Sequence, residues 1–169
     1  MEENLYYHAS ELIFKIGREY SVEDFDCQFT RDHLKRDKSQ QLVNIRIDEK
    51  RPIDIKESRL KAIYLFKKLS HCQYYARSLN KQVYIYKVKP KSVVSGGFPF
   101  CLLNKIYKAP DEKSRELLID EYWQPKFGKW KYLEFLTLAI EIVDIIEGTS
   151  IAGCDDYLDD LQLVNKITK

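Results

Sequence analysis

The stretch YLFKKLSHCQYYA, Tyr64–Ala76, changes its apolar period halfway along, and this change decides the fold class. Its first three residues belong to the run AIYLF, residues 62–66, which is short, apolar and typical of a buried strand. From Ser70 onward the spacing is helical, and Ser70 with Gln73 three residues later forms a capping-box pattern. A strand followed at once by a short helix predicts an α+β domain.

The helix predicted in this stretch has one inward face. Four of its residues fall at i, i+3, i+4 and i+7 and share that face: Cys72, Tyr75, Ala76 and Leu79. Tyr74 is rotated away from them. Of the two adjacent tyrosines, the spacing therefore assigns Tyr75 to the interior.

Strand patterns lie on both sides of the stretch. The clearest are NLYYHAS, QLVNIRI and QVYIYKVKP, at residues 4–10, 41–47 and 82–90. The run KYLEFLTLAIEIVDII, residues 131–146, is too long for one strand and predicts two strands joined by a bend near Leu138.

The segments between these strands predict one further helix, a turn and a loop. Residues 111–123 are typical of a helix with Asp111 as its N-cap. SGGFPF, residues 95–100, has the composition of a turn. Residues 18–41 are mostly polar, and we expect a mobile surface loop there.

The 169 residues fit one domain, which we expect over residues 1–147, followed by a C-terminal helix or tail over 148–169. The net charge of +2 is small and the basic residues are dispersed, which argues against an extended nucleic-acid footprint. The sequence has no apolar run of membrane-spanning length, and its acidic start is unlike a secretory signal. We therefore expect a cytoplasmic protein with no membrane partner.

The sequence has four widely spaced cysteines, Cys27, Cys72, Cys101 and Cys154, and no CxxC pair. In a cytoplasmic protein, buried free thiols are favoured over disulfides for such residues. Because the chain also has only three histidines, we expect no metal site.

Three local patterns, taken in order, resemble a known enzyme family. They are YYHAS at residues 6–10, the opening stretch with its spaced tyrosines, and YLEFLTLAIEIVDII with its acid at Glu134. Together they resemble the ADP-ribosyltransferases of the His-Tyr-Glu branch, which includes poly(ADP-ribose) polymerases and diphtheria-type toxins. The layout is also similar to that of small bacterial proteins of this fold. The resemblance implies a split β-sheet core with a few flanking helices, and NAD as substrate.

The resemblance implies a role for each matching residue. His8 would hold the adenosine ribose, the backbone of Ala9 would clamp the nicotinamide carboxamide, and Ser10 completes this part of the cofactor site. Ala9 replaces the family's usual glycine.

The tyrosine motif matches the family without a gap. Tyr75 would stack on the nicotinamide, and Tyr64 would pack on its other side. Cys72 stands where the family has a serine hydroxyl for the carboxamide, and a thiol makes a poorer hydrogen bond, which implies weaker NAD binding. From the residues alone, Tyr64 and Tyr75 also fit as ordinary core aromatics.

The family's catalytic glutamate matches Glu134, with Glu141 on the next strand as a rival acid. Glu134 would bond the ribose 2′-hydroxyl and stabilise the cation that develops as nicotinamide leaves. On this view His8, Tyr64, Tyr75 and Glu134 line one cleft. From the residues alone, Glu134 also fits a solvated sheet face.

The resemblance predicts an NAD-dependent transferase that passes ADP-ribose to a protein, nucleic acid or small molecule. A second hypothesis is a catalytically weak or inactive module of the same fold that binds NAD, ADP-ribose or a protein. A third is a nucleic-acid-binding accessory protein, supported by the basic clusters Lys35–Lys38 and Lys126–Lys131.

Overall fold

Two antiparallel sheets form the framework of the computed structural model, which describes residues 4–79 and 81–146. The strands are β1 (Tyr6–Ser10), β2 (Glu19–Ser21), β3 (Ile63–Leu65), β4 (Tyr84–Pro90), β5 (Ser95–Pro99), β6 (Leu133–Thr137) and β7 (Ala139–Ile145). One sheet has the order β1-β4-β7-β2 and the other β3-β6-β5. The α+β class predicted from the sequence is confirmed.

The helices flank these sheets. They are α1 (Gln28–Lys35), α2 (Lys38–Glu49), α3 (Leu69–Ser78), α4 (Leu103–Tyr107) and α5 (Glu112–Trp123), with a 3₁₀ turn over Phe100–Leu102 before α4. Asp111 caps α5 as predicted, because its carboxylate accepts a hydrogen bond from the backbone N–H of Ser114 at 2.7 Å. The tail expected over 148–169, with Cys154, lies outside the described residues.

Backbone hydrogen bonds and a one-residue chain connection join the two sheets. Tyr7 of β1 and Phe66, just after β3, exchange two backbone hydrogen bonds of 2.8 and 2.9 Å. Leu138 alone separates β6 from β7, which belong to different sheets. The predicted bend therefore transfers the chain from one sheet to the other.

Two apolar clusters fill the interior. The first, which we call the helix-side cluster, combines strand residues such as Tyr64 and Leu136 with residues of the helices, including Tyr75 and Tyr122. The second, the inter-sheet cluster, contains strand residues of both sheets, such as Tyr6 and Ile63, together with Phe14 from the segment between β1 and β2. Alternation along β3 and β6 sends neighbouring side chains to different clusters.

Residues 18–41 are not the predicted surface loop, since they hold β2, α1 and the start of α2. The strand predicted over 41–47 is also wrong, because these residues lie in α2. Asp37 caps this helix by accepting from the backbone N–H of Gln40, and the buried positions Asn44 and Ile47 are three apart. A stretch of only seven residues fits both the strand period of 2 and the helix period of 3.6. Here the N-cap and the tertiary packing favour the helix.

The turn predicted at SGGFPF is wrong as well, because Ser95–Pro99 forms strand β5. Gly96 lies so close to β6 that a Cβ atom there would be 2.8 Å from the Cα of Phe135. The absence of a side chain at this glycine thus allows β5 and β6 to approach closely where their register is irregular. Gly97, with φ of 83°, supplies the backbone turn beside it.

The capping box predicted at Ser70 does not form. Helix α3 begins at Leu69, its N-cap position is Lys68, and no side chain caps it. Its inward face is nevertheless as predicted, since Cys72 and Tyr75 are buried and Tyr74 is 46% exposed. Cys27 and Cys72 are buried free thiols, and Cys101 is a half-buried one.

Candidate functional site

A buried polar cluster of Arg59, Tyr122 and Glu134 lies where β6, α5 and the segment before β3 meet. The Tyr122 hydroxyl donates to Oε1 of Glu134 at 2.5 Å, and Nη2 of Arg59 donates to the same oxygen at 3.4 Å. Nε of Arg59 donates to the Tyr122 hydroxyl oxygen at 2.9 Å. The solvated face considered for Glu134 is therefore wrong, because the residue is fully buried.

Charge in this cluster is held away from water. Burial raises the pKa of Glu134, and the nearby Arg59 and the Tyr122 hydroxyl only partly offset this rise. Arg59 remains a cation, since the guanidinium does not lose its proton in proteins. Oε2 of Glu134 and Nη1 of Arg59 have no hydrogen-bond partner among the described residues.

The Tyr64 and Tyr75 rings lie parallel beside this cluster. Their centroids are 6.4 Å apart and their planes differ by 7°. The Tyr64 hydroxyl donates to the backbone carbonyl of Arg59 at 2.8 Å, and the Arg59 guanidinium lies 5.4 Å from the Tyr64 ring centroid. Cys72 is fully buried on the same helix as Tyr75, and burial raises the pKa of its thiol well above the ordinary value.

His8 is attached to Tyr64 through the backbone. Its Nδ1 lies 2.9 Å from the carbonyl oxygen of Tyr64, so Nδ1 carries the proton, since a carbonyl only accepts. Burial lowers the pKa of His8 to about 4, against the opposing effect of this hydrogen bond. The ring is therefore neutral near pH 7, and its buried Nε2 has no hydrogen-bond partner within residues 4–79 and 81–146.

Alternation along β1 separates His8 from its neighbour Ala9. The His8 ring is 6.1 Å from the ring of Phe14, a member of the inter-sheet cluster, whereas Ala9 belongs to the helix-side cluster. Ser10 is fully buried and its hydroxyl accepts from the backbone N–H of Leu12 at 3.1 Å.

A cavity of about 290 Å³ lies beside Tyr75. It is bordered by α1, α3, the 3₁₀ turn and α4, and Arg59 forms part of its wall. Its lining residues are Phe29, Asp32, Arg36, Arg59, Tyr74, Tyr75, Ser78, Leu79, Phe100, Cys101, Leu103, Asn104 and Tyr107.

The structure brings the predicted site residues together only in part. Tyr64, Tyr75 and Glu134 gather around Arg59 on the helix side, and His8 touches this group through the Tyr64 carbonyl. Of these four predicted residues, only Tyr75 lines the cavity. Glu134 does not line the cavity, but it pairs with Arg59, which forms part of the cavity wall.

Sequence reasoning missed Arg59 and Tyr122. Arg59 lies in residues 51–61, which carry no clear period, and nothing in the sequence marks it as buried. Tyr122 is the penultimate residue of α5, and only its spacing from Ile119 indicates an inward position.

The basic segment Lys126–Lys131, between α5 and β6, pairs part of its positive charge with a carboxylate of the protein itself. Nε1 of Trp130 donates to a carboxylate oxygen of Glu121 at 2.9 Å, and the ammonium of Lys129 lies 3.4 Å from the same oxygen. Phe127 is fully exposed. Tyr74 stacks on Tyr132 with ring centroids 4.3 Å apart, between this segment and the cavity.

Comparison with protein-family models and with curated proteins finds no match to the chain. The site must therefore be interpreted from its own geometry. Within residues 4–79 and 81–146, no helix has the length and apolar character needed to cross a lipid bilayer.

Proposed function

We propose that the protein is an NAD-dependent ADP-ribosyltransferase, which cleaves the nicotinamide–ribose bond and transfers ADP-ribose to an acceptor. The observation that carries the proposal is the parallel pair Tyr64 and Tyr75, with centroids 6.4 Å apart. A flat ring between two others needs about 7 Å, twice the ~3.5 Å contact distance of carbon atoms. Because the distance between the ring planes is at most the centroid distance, the two tyrosines would have to move apart by at least about half an ångström to admit nicotinamide.

The first strand supports this placement. The hydrogen bond from His8 to the Tyr64 carbonyl fixes β1 beside the tyrosine pair. With the proton on Nδ1, Nε2 of His8 can accept a hydrogen bond and has no partner among the described residues. Because the His8 ring packs against Phe14 on the inter-sheet side, it would have to turn to reach a ribose bound beside the tyrosine pair. We further propose that the two antiparallel sheets are the split core of the ADP-ribosyltransferase fold, with β1, β3 and β6 carrying the site.

The chemistry needs a nearby negative charge. When the glycosidic C–N bond breaks, its electron pair leaves with nicotinamide and positive charge develops at C1 of the ribose. An oxygen or nitrogen of the acceptor then bonds to C1 and loses its proton. Glu134 has an unpartnered Oε2 and lies within electrostatic range of Tyr75, which suits it to stabilise this cation.

A second candidate function is NAD or ADP-ribose binding without turnover. The observation that favours it is the pairing of Glu134 with Arg59 and Tyr122 at zero exposure, which weakens its negative charge and separates it from the cavity. The two functions share the tyrosine pair and differ in whether Glu134 reaches the ribose.

Nicotinamide release from NAD by the purified protein tests the proposal. We expect release that is kept in Tyr75→Phe, which retains the ring, and reduced several-fold in Tyr75→Ala at NAD concentrations below saturation. Binding of NAD without release would replace the first function by the second, and absence of both would reject the site. NAD labelled in its ADP-ribose part identifies the acceptor as protein, nucleic acid or small molecule.

A further inference from the structure

Two arginines border the cavity, and each has a nitrogen donor that finds no hydrogen-bond partner in the described part of the chain. These atoms are Nε of Arg36 and Nη1 of Arg59, both buried. Arg36 extends from the end of α1, whereas Arg59 precedes β3, so two separate parts of the chain supply them. A buried N–H without an acceptor is costly, and such groups in a folded protein call for a missing partner.

Aromatic rings hold both guanidinium groups in place. The Arg36 guanidinium carbon lies 5.3 Å from the Tyr107 ring centroid, and that of Arg59 lies 4.5 Å from the Phe29 centroid. Arg59 is only 1% exposed. Because the side chains are already ordered, little conformational entropy is lost when a ligand accepts their hydrogen bonds.

The charge at the cavity is positive. Arg36 forms no ion pair with any of the described residues, and Arg59 shares a single oxygen of Glu134 with Tyr122. Asp32, the acid that lines the cavity, is engaged by the Lys81 ammonium and by the side chain of Gln28. This leaves Arg36 without a counter-ion.

The positive charge at the cavity affects the pKa of the nearby His33 imidazole. Its pKa is lowered by burial first and then by both Arg36 and Arg59. Both arginines also line the one cavity, although they come from different parts of the chain, so an anion in it would lie near both guanidinium groups.

We propose that this cavity binds the phosphate group of a nucleotide, with Arg36 and Arg59 as the donors. Guanidinium groups match phosphate oxygens in charge and geometry. Tyr75 and Phe100 supply apolar ring surface for the flat base. The volume of about 290 Å³ is near the lower limit for small-molecule pockets and suits a mononucleotide-sized group.

The phosphate can come from NAD itself or from a phosphorylated acceptor. Its assignment to NAD rests on the proposed function, whereas the anion site is argued from the two arginines alone. The test therefore measures equilibrium binding and not nicotinamide release, so the two proposals can fail separately.

The experiment compares AMP with adenosine by titration calorimetry at low salt. We expect AMP to bind the wild-type protein about ten-fold or more tightly than adenosine, because hydrogen bonds to charged groups are strong. Arg36→Gln should remove most of this preference. The matched control is Arg31→Gln on the same helix, since Arg31 pairs with Glu11 and does not line the cavity.

Arg59→Lys is the second variant, because it keeps a cation beside Glu134 but removes Nη1. If it folds, shown by an unchanged thermal transition, it should also reduce the preference for AMP. If it does not fold, Arg36→Gln and its control carry the test. Equal binding of AMP and adenosine, no binding of either at millimolar concentration, or equal effects of Arg31→Gln and Arg36→Gln would overturn the proposal.

Parallel titrations with NAD and nicotinamide mononucleotide identify the source of the phosphate. An equal loss of NAD and AMP affinity in Arg36→Gln assigns the site to the NAD pyrophosphate. Loss of AMP affinity with unchanged NAD affinity assigns it to the acceptor. Both outcomes support the anion site.

Discussion

Arg59 and Glu134 form an ion pair that is closed to solvent, with Nη2 of Arg59 3.4 Å from Oε1 of Glu134 and each side chain 1% exposed. The pair links the segment before β3 to strand β6. It also places the proposed catalytic acid beside Arg59, which helps to line the cavity. Arg59 thus connects the predicted active-site acid with the cavity that the sequence did not indicate.

The pair makes a prediction for stability. Arg59→Met or Glu134→Met alone leaves one buried charge without its partner and should lower the free energy of unfolding by about 3–5 kcal/mol. The double variant removes both charges and should cost clearly less than the sum of the single changes. Urea denaturation of the four proteins measures this difference, and additive losses would mean that the two side chains do not interact.

Activity gives a second test of Glu134. Glu134→Gln keeps the size and most hydrogen bonds but removes the charge that would face the ribose cation, so kcat should fall by about 10²–10³. NAD carries no such cation in its ground state, so KM should change little.

Glu141→Gln is the matched control for that substitution. Glu141 lies on β7 with its carboxylate 3.4 Å from the Lys91 ammonium at a partly exposed position, where an ion pair contributes about 0–1 kcal/mol. Its removal should leave nicotinamide release unchanged. NAD cleavage that survives Glu134→Gln and is lost in Glu141→Gln would move the catalytic acid to β7.

NAD affinity distinguishes the two neighbouring tyrosines. Tyr75→Ala removes one of the two parallel rings and should weaken binding several-fold, since aromatic stacking contributes about 0.5–1.5 kcal/mol beyond burial. Tyr74→Ala removes a ring that stacks on Tyr132 at the cavity edge and should leave NAD affinity unchanged. Equal losses in calorimetric titrations would show that nicotinamide does not lie between Tyr64 and Tyr75.

The long periodic segments were predictable from the sequence because one physical pattern dominated each. Residues 131–146 were recognised as two strands, and residues 111–123 as a capped helix. The errors fell where short patterns fit two structures, as in residues 41–47, or where tertiary contact overrode local composition, as at Gly96. The pairing of Arg59 with Glu134 spans 75 positions and has no local signature.

Burial of the neutral His8 ring makes the free energy of unfolding depend on pH. Its pKa is about 4 in the folded protein, because burial outweighs the bond to Tyr64, and about 6.5 when unfolded. Between these values the unfolded state binds more protons, so this contribution to stability is complete above pH 6.5 and is lost as pH falls toward 4. The loss over this window should be about 3 kcal/mol.

His8→Asn isolates this effect, because its amide can still donate to the Tyr64 carbonyl but does not titrate. Burial also lowers the pKa values of His33 and His71, and it raises the pKa of Glu134. These groups are present in both proteins, so their contributions cancel in the comparison. Unfolding free energies measured between pH 7 and 4.5 should therefore fall less steeply in the variant. Identical slopes would mean that the pKa of His8 is not lowered in the folded protein, and hence that burial does not hold its ring neutral between pH 4.5 and 6.5.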